Sequence, residues 1–220
     1  MSLFEGRDLL CVRGERRVFA GLDFALPAGG ALVLTGPNGS GKSSLLRLMA
    51  GLLKPAAGAL LWGGEEIAEN PDAHRARLHY LGHLDAVKPV LTATENLRFW
   101  GAVGGGAAAE VGRALDGFGL GALAEVPGRM LSAGQKRRLA LARLLAAPAE
   151  LWLLDEPSVG LDRDSLARLG AAIAAHRAGG GRVVAATHAP LDVPGAEVMA
   201  LDRFAVAPGA AFAVDAEAGW

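Results

Sequence analysis

The run Gly36-Pro37-Asn38-Gly39-Ser40-Gly41-Lys42-Ser43 fits G-x-x-x-x-G-K-[ST] at every fixed position. It lies between an apolar stretch at 31–35, read as a buried strand, and a segment at 42–52 with helical spacing of Leu45, Leu46, Leu48 and Met49. A strand, a glycine loop and a helix in that order leave few folds open. The glycines let the backbone curl until several N–H groups point at one anion. The helix start adds its positive dipole end. Lys42 has the reach for β- and γ-phosphates, the Ser43 hydroxyl suits Mg²⁺, and Ser44 continues the cradle. Asn38-Gly39-Ser40 also matches a glycosylation sequon, which is a coincidence in such a loop.

A second element completes the chemistry. Leu151-Trp152-Leu153-Leu154-Asp155-Glu156 is an apolar strand ending in two carboxylates. Asp155 would hold the Mg²⁺ shell, mostly through water. Glu156 points differently and would polarise the water that attacks a γ-phosphate. His188 follows a strand at 182–186 and would donate a hydrogen bond to that phosphate.

The rest of the chain alternates. Strands are expected at 9–13, 17–19, 22–26, 60–62, 78–81 and 198–202. Helices are expected at 92–103, 107–118, 132–147 and 162–176, the first two joined by the flexible Gly104-Gly105-Gly106. This pattern reads as an α/β core with a mainly parallel sheet, preceded by antiparallel strands. A small helical lobe is expected at about 84–135 of a single domain covering 1–220. The Ala-rich tail, 208–220, reads as loosely held.

Charge and cysteine content narrow the class. With 22 basic and 23 acidic residues, net charge is -1, which argues against a nucleic-acid partner held by bulk charge. The one cysteine, Cys11, reads as a buried strand residue in a reducing compartment. No apolar run reaches the ~18 residues that span a bilayer, and Arg143 interrupts the best candidate at 139–149. The N-terminus has no basic region leading an apolar one, so no secretory signal is expected. Work at a membrane would need another chain to supply the span.

Leu131-Ser132-Ala133-Gly134-Gln135 decides between P-loop classes. Ser132 is a good N-cap for the helix that follows, and the small residues behind it leave N–H groups open to an anion. The run resembles the LSGGQ signature of ABC ATPases, with Ala133 for the first glycine. Ser158-Val159-Gly160-Leu161-Asp162 matches that family's D-loop and His188 its switch histidine. Small-molecule kinases lack the signature and this histidine. Chromosome-associated ABC ATPases carry long coiled coils, absent here. The resemblance covers about residues 9–202. It implies the P-loop ABC ATPase fold, with an N-terminal antiparallel β subdomain and a small α-helical subdomain. It implies hydrolysis of ATP with Mg²⁺ and a head-to-tail homodimer on ATP binding. There Ser132, Gly134 and Gln135 of one copy face the P-loop of the other. Integral membrane subunits are the implied partners.

Two positions depart from the family. His83 stands where a glutamine usually touches Mg²⁺ and the attacking water. Arg13 stands where an aromatic side chain usually stacks on adenine; a guanidinium can stack on a base. A metal held by His79 and His83 is a weaker reading. Tyr80-Leu81-Gly82-His83, Val87-Lys88 and the run from Leu91 to Phe99 are similar to the ATP-binding subunits of cytochrome c maturation haem exporters. So are Leu9-Leu10-Cys11, Gly21-Leu22-Asp23-Phe24 and Lys136-Arg137-Arg138 after the signature. That resemblance implies a peripheral protein on the cytoplasmic face of an inner membrane, with the haem site elsewhere. A lipid, peptide or drug exporter is the alternative. A nucleotide-gated binding protein without hydrolysis is a third, disfavoured by Glu156.

Overall fold

The computed structural model describes residues 2–188 and 191–206. The expectation for the tail at 208–220 falls outside them. β1 (Phe4–Arg13) and β2 (Arg16–Leu26) form a hairpin about Gly14-Glu15. The expected strands at 17–19 and 22–26 are one continuous strand. Ala20-Gly21, poor β-formers, interrupt the pattern but not the backbone. The irregularity shows as register shifts between Gly6, Leu9 and Cys11, with Asp8 at φ 48. There the Asp8 N–H donates to Asp23 Oδ1 at 2.7 Å, so a side chain replaces a ladder bond.

β3 (Ala31–Thr35) leads through the glycine loop into α1 (Lys42–Met49). β4 (Ala57–Trp62) returns to pair with β1, and β5 (Glu65–Glu66) completes an antiparallel sheet in the order β2-β1-β4-β5. α2 (Pro71–Ala76) starts at Asn70, whose side chain accepts the Ala73 N–H, and leads into β6 (Leu78–Leu81). β5 and α2 were not anticipated, because two and six residues are too few to display a period.

α3 (Ala93–Val103), α4 (Glu110–Gly117) and α5 (Ala133–Ala146) pack together as a helical subdomain. Thr92 caps α3 with a reciprocal bond to Glu95. The glycines after α3 act by close approach as much as by flexibility. A Cβ on Gly106 would overlap the Ala146 carbonyl, and Gly106 N–H donates to Gly101 O at 2.7 Å.

β7 (Leu151–Asp155), α6 (Arg163–Ala178), β8 (Arg182–Ala186) and β9 (Glu197–Ala200) complete the core. The second sheet is wholly parallel, in the order β6-β7-β8-β3-β9. β7 and β8 are buried along their whole length. Their side chains alternate between faces. Leu151 and Leu153 join α1 and the antiparallel sheet in one core, while Trp152 and Leu154 join α3–α6 in the other. This double burial explains why both strands read as unbroken apolar runs. Among the described residues, no helix is long and apolar enough to cross a membrane.

Candidate nucleotide site

A parallel sheet ends all its strands on one side, and open α/β sheets bind ligands there. β3 ends in the glycine loop, β7 in Asp155-Glu156, β8 in Thr187-His188 and β6 in Gly82-His83. Register keeps these ends level: Leu34 and Asp155 both pair with Ala186, and Leu81 pairs with Leu154. Four segments far apart in sequence therefore meet at one edge.

Gly41 begins α1 at φ 106. A Cβ there would stand 2.7 Å from Val18 Cγ1 and 2.8 Å from Phe19 Cδ1, so both conformation and space require glycine. No side chain caps α1, and its first turn carries no acid. Residues 38–39 and 41–44 line a cavity of ≈ 450 Å³ with Val18, His83, Asp155, Glu156 and His188. Gly36 and Pro37 contribute their carbonyls, which accept from Lys42 Nζ at 2.7 and 3.1 Å. Lys42 is 7% exposed, so these two dipoles compensate a nearly buried cation. Ser40 is buried within the loop.

Ser43 Oγ donates to Asp155 Oδ1 at 3.1 Å, across 112 residues of sequence. A hydroxyl and a carboxylate side by side form a hard oxygen pair, the donor type Mg²⁺ takes. Glu156 is held at φ 51, a conformation that residues other than glycine seldom adopt. Its N–H donates to Ala186 O at 2.8 Å. Its Oε1 lies 2.9 Å from His188 Nδ1, and its Oε2 accepts the His188 N–H at 3.3 Å. Glu156 and His188, expected separately, thus form a dyad.

His83 is exposed and lines this cavity and a neighbouring one of ≈ 240 Å³, which also touches Ala133, Gly134 and Glu156. Ser132 caps α5: its Oγ accepts the Gln135 N–H at 3.2 Å, and its N–H donates to Gln135 Oε1 at 2.8 Å. Ser132 and Gln135 line neither cavity, whereas Ala133 and Gly134 line the second. Arg13 is exposed at the hairpin end, opposite Arg16, and is not among the cavity-lining residues. Val18 on β2 supplies an apolar part of the cavity wall. His79 does not share a cavity with His83. Its Nε2 meets Ala147 O at 3.0 Å, and burial lowers its pKa.

Arg137 was not anticipated. Buried at 6% exposure, it contacts the Asp155 and Glu156 carbonyls and Asp85. Main-chain acceptors leave no mark in a sequence.

Residues 19–159 match the family model described as ABC transporter. The chain is 61% identical over 210 residues to the cytochrome c biogenesis ATP-binding export protein CcmA of Rhodospirillum rubrum, covering 96% of this chain and 90% of that one. It is 62% identical over 210 residues to the protein of the same name from Paramagnetospirillum magneticum, covering 94% and 97%. Among solved structures, an ABC transporter ATP-binding protein from Pyrococcus furiosus superposes with a TM-score of 0.81 at 25% identity, covering 93% of this chain and all of the other. The chain belongs to the ABC transporter family, as an ATP-binding ATPase of its cytochrome c biogenesis export group.

Proposed function

We propose that this chain is the ATP-hydrolysing subunit of an inner-membrane complex that exports or releases haem for c-type cytochrome assembly. The observation that carries the ATPase part is the single cavity uniting Lys42, the Ser43–Asp155 pair and the Glu156–His188 dyad. The names of the relatives supply the link to cytochrome c biogenesis.

The N–H groups of residues 38–44 hold the phosphates of ATP at the start of α1. Lys42 exchanges the Gly36 and Pro37 carbonyls for β- and γ-phosphate oxygens, which are stronger acceptors. Ser43 and Asp155 would hold Mg²⁺, which neutralises charge developing on the phosphates. Glu156 accepts a hydrogen bond from the attacking water and aligns it with the γ-phosphorus. His188 steadies that carboxylate through its main-chain N–H, and with ATP bound its ring donates one hydrogen bond to the γ-phosphate. His83, beside Glu156 in the same cavity, takes the place of the usual glutamine.

The chain acts as one ATP-binding domain with a helical lobe at about 84–135. Ser132, Gly134 and Gln135 of a second copy close the site in a head-to-tail homodimer. Membrane subunits dock at residues 83–94, where Leu84 and Val90 are 80% and 74% exposed. The chain therefore sits on the cytoplasmic face as a peripheral subunit.

Deleting the gene and staining membranes for covalently bound haem tests this. The expected result is loss of c-type cytochromes with b-type ones retained, rescued by wild type but not by Glu156→Gln. Unchanged c-type cytochromes would remove the haem assignment. Rescue by Glu156→Gln would remove the need for hydrolysis.

A further inference from the structure

We propose that Arg137 is a positioning residue for ATP hydrolysis, fastening the main chain of Asp155-Glu156 to both the signature helix and the His83 loop. The proposal rests on Glu156 being the residue that activates water.

Arg137 lies one turn into α5, four residues after Ala133. Its side chain shares a face with Ala133 and Gly134, and all three line the ≈ 240 Å³ cavity with His83, Asp85 and Glu156. One terminal nitrogen donates to Glu156 O at 2.5 Å and lies 3.4 Å from Asp155 O. The other donates to Asp85 Oδ1 at 2.9 Å, two residues after His83. Nε makes no hydrogen bond, so its polar contacts run through the two ends of the fork. A flat guanidinium reaches both sides at once; an ammonium is a point charge and does not.

An arginine bonded to main-chain carbonyls commonly does no more than brace a fold. Arg138, its half-buried neighbour, does that: it donates to the Phe118 and Gly119 carbonyls within the helical subdomain. Arg137 differs in what it holds. Glu156 sits at φ 51, a backbone state that persists only where the surroundings enforce it. Rotating the following peptide to relieve it would carry Glu156 O away from the guanidinium. Ala186 O fixes the residue from the N–H side, and Arg137 fixes it from the carbonyl side. Because Arg137 belongs to the helix that Ser132 begins, a shift of that helix is felt at the Glu156 carboxylate. Asp85 carries the same constraint to His83. The three segments lie 19 and 52 residues apart in sequence but meet at one side chain.

The test uses the full chain purified with its membrane partners. Turnover and the dissociation constant of a fluorescent ATP analogue are measured for Arg137→Gln, Arg137→Lys, Asp85→Ala and Arg137→Gln/Asp85→Ala. Arg137→Gln is expected to lower kcat by on the order of 10- to 100-fold, the loss that follows a displacement of about 1 Å at a reacting centre. Analogue binding stays within about twofold of wild type, because the glycine loop is untouched. Arg137→Lys stays slow, lacking the fork. Asp85→Ala moves kcat in the same direction, and the double variant is no slower than Arg137→Gln, as expected of groups acting through one contact. Wild-type kcat in Arg137→Gln overturns the proposal, as does analogue binding that weakens in step with kcat. If Arg137→Gln does not fold, Asp85→Ala decides. Its aspartate is partly exposed on a loop, and wild-type kcat there overturns the proposal. Wild-type turnover in Glu156→Gln would instead overturn the role of Glu156 itself.

Discussion

Lys42 is nearly buried, and among the described residues the Gly36 and Pro37 carbonyls accept hydrogen bonds from its ammonium. Ionised phosphate oxygens bond an ammonium about twice as strongly as neutral carbonyls do. Lys42→Ala is therefore expected to weaken ATP binding by about 10- to 100-fold, the equivalent of about 1.5–3 kcal/mol for bonds between charged groups. Titration with a fluorescent ATP analogue reads this directly, and unchanged affinity would contradict the phosphate role. Lys42, Ser43 and the glycines are legible in the sequence because eight neighbouring residues carry the whole motif. Asp155, Glu156 and His188 are legible more weakly, each as a polar residue at the end of an apolar strand. Arg13 is selected only by counting residues back from Lys42; it sits exposed at the hairpin end, while Val18 lines the cavity. Arg137 leaves even less trace, since two of its acceptors are carbonyls that any residue would offer.

Helix starts carry much of what the elements do here. Thr92, Ser132 and Asp162 each accept an N–H from the residue three places on. Such caps are readable in advance, as the right polar residue before an apolar period. The bounds of β2, β5 and α2 are not, because a bulge or a short length erases the period. Ser132 is assigned two roles that two substitutions separate. Ser132→Ala loses the cap, which costs about 1 kcal/mol. A chain of this size then melts about 2–4 °C lower. Ser132→Arg loses the same cap and also places a long cation where a second copy must approach. It should melt like the alanine variant but fail to dimerise with ATP in a Glu156→Gln background. Light scattering compares the two. An ATP-driven dimer in Ser132→Arg would contradict the facing role of the signature.

At the scale of the whole molecule, the layers are joined partly by neutral histidines. His74 packs against Phe4 and Trp62 between α2 and the antiparallel sheet, and its Nε2 meets Met49 O at 2.8 Å. His79 reaches from β6 to Ala147 beyond α5. His176 on α6 stacks on Trp152 of β7, with ring centroids 3.9 Å apart and planes 5° apart. Burial lowers the pKa of all three, that of His176 from 6.5 to about 4. A hydrogen bond to Arg182 O opposes that shift, and His79, when protonated, adds to it. Between about pH 4 and 6.5 the unfolded chain then binds protons that the folded chain refuses. Stability rises with pH across that window: it is fully present above 6.5 and is lost as pH falls toward 4. Asp162 is also lowered, by bonds to Ser165, but its contribution is lost only in the more acidic carboxylate range. The melting temperature should therefore fall between pH 7 and pH 5. His176→Phe keeps an aromatic ring against Trp152 and removes one titrating group. Its melting temperature should drop less over the same interval, whatever its value at pH 7. An unchanged pH slope in that variant would mean that His176 is as free to protonate in the fold as out of it, and that the stack with Trp152 does not exclude charge.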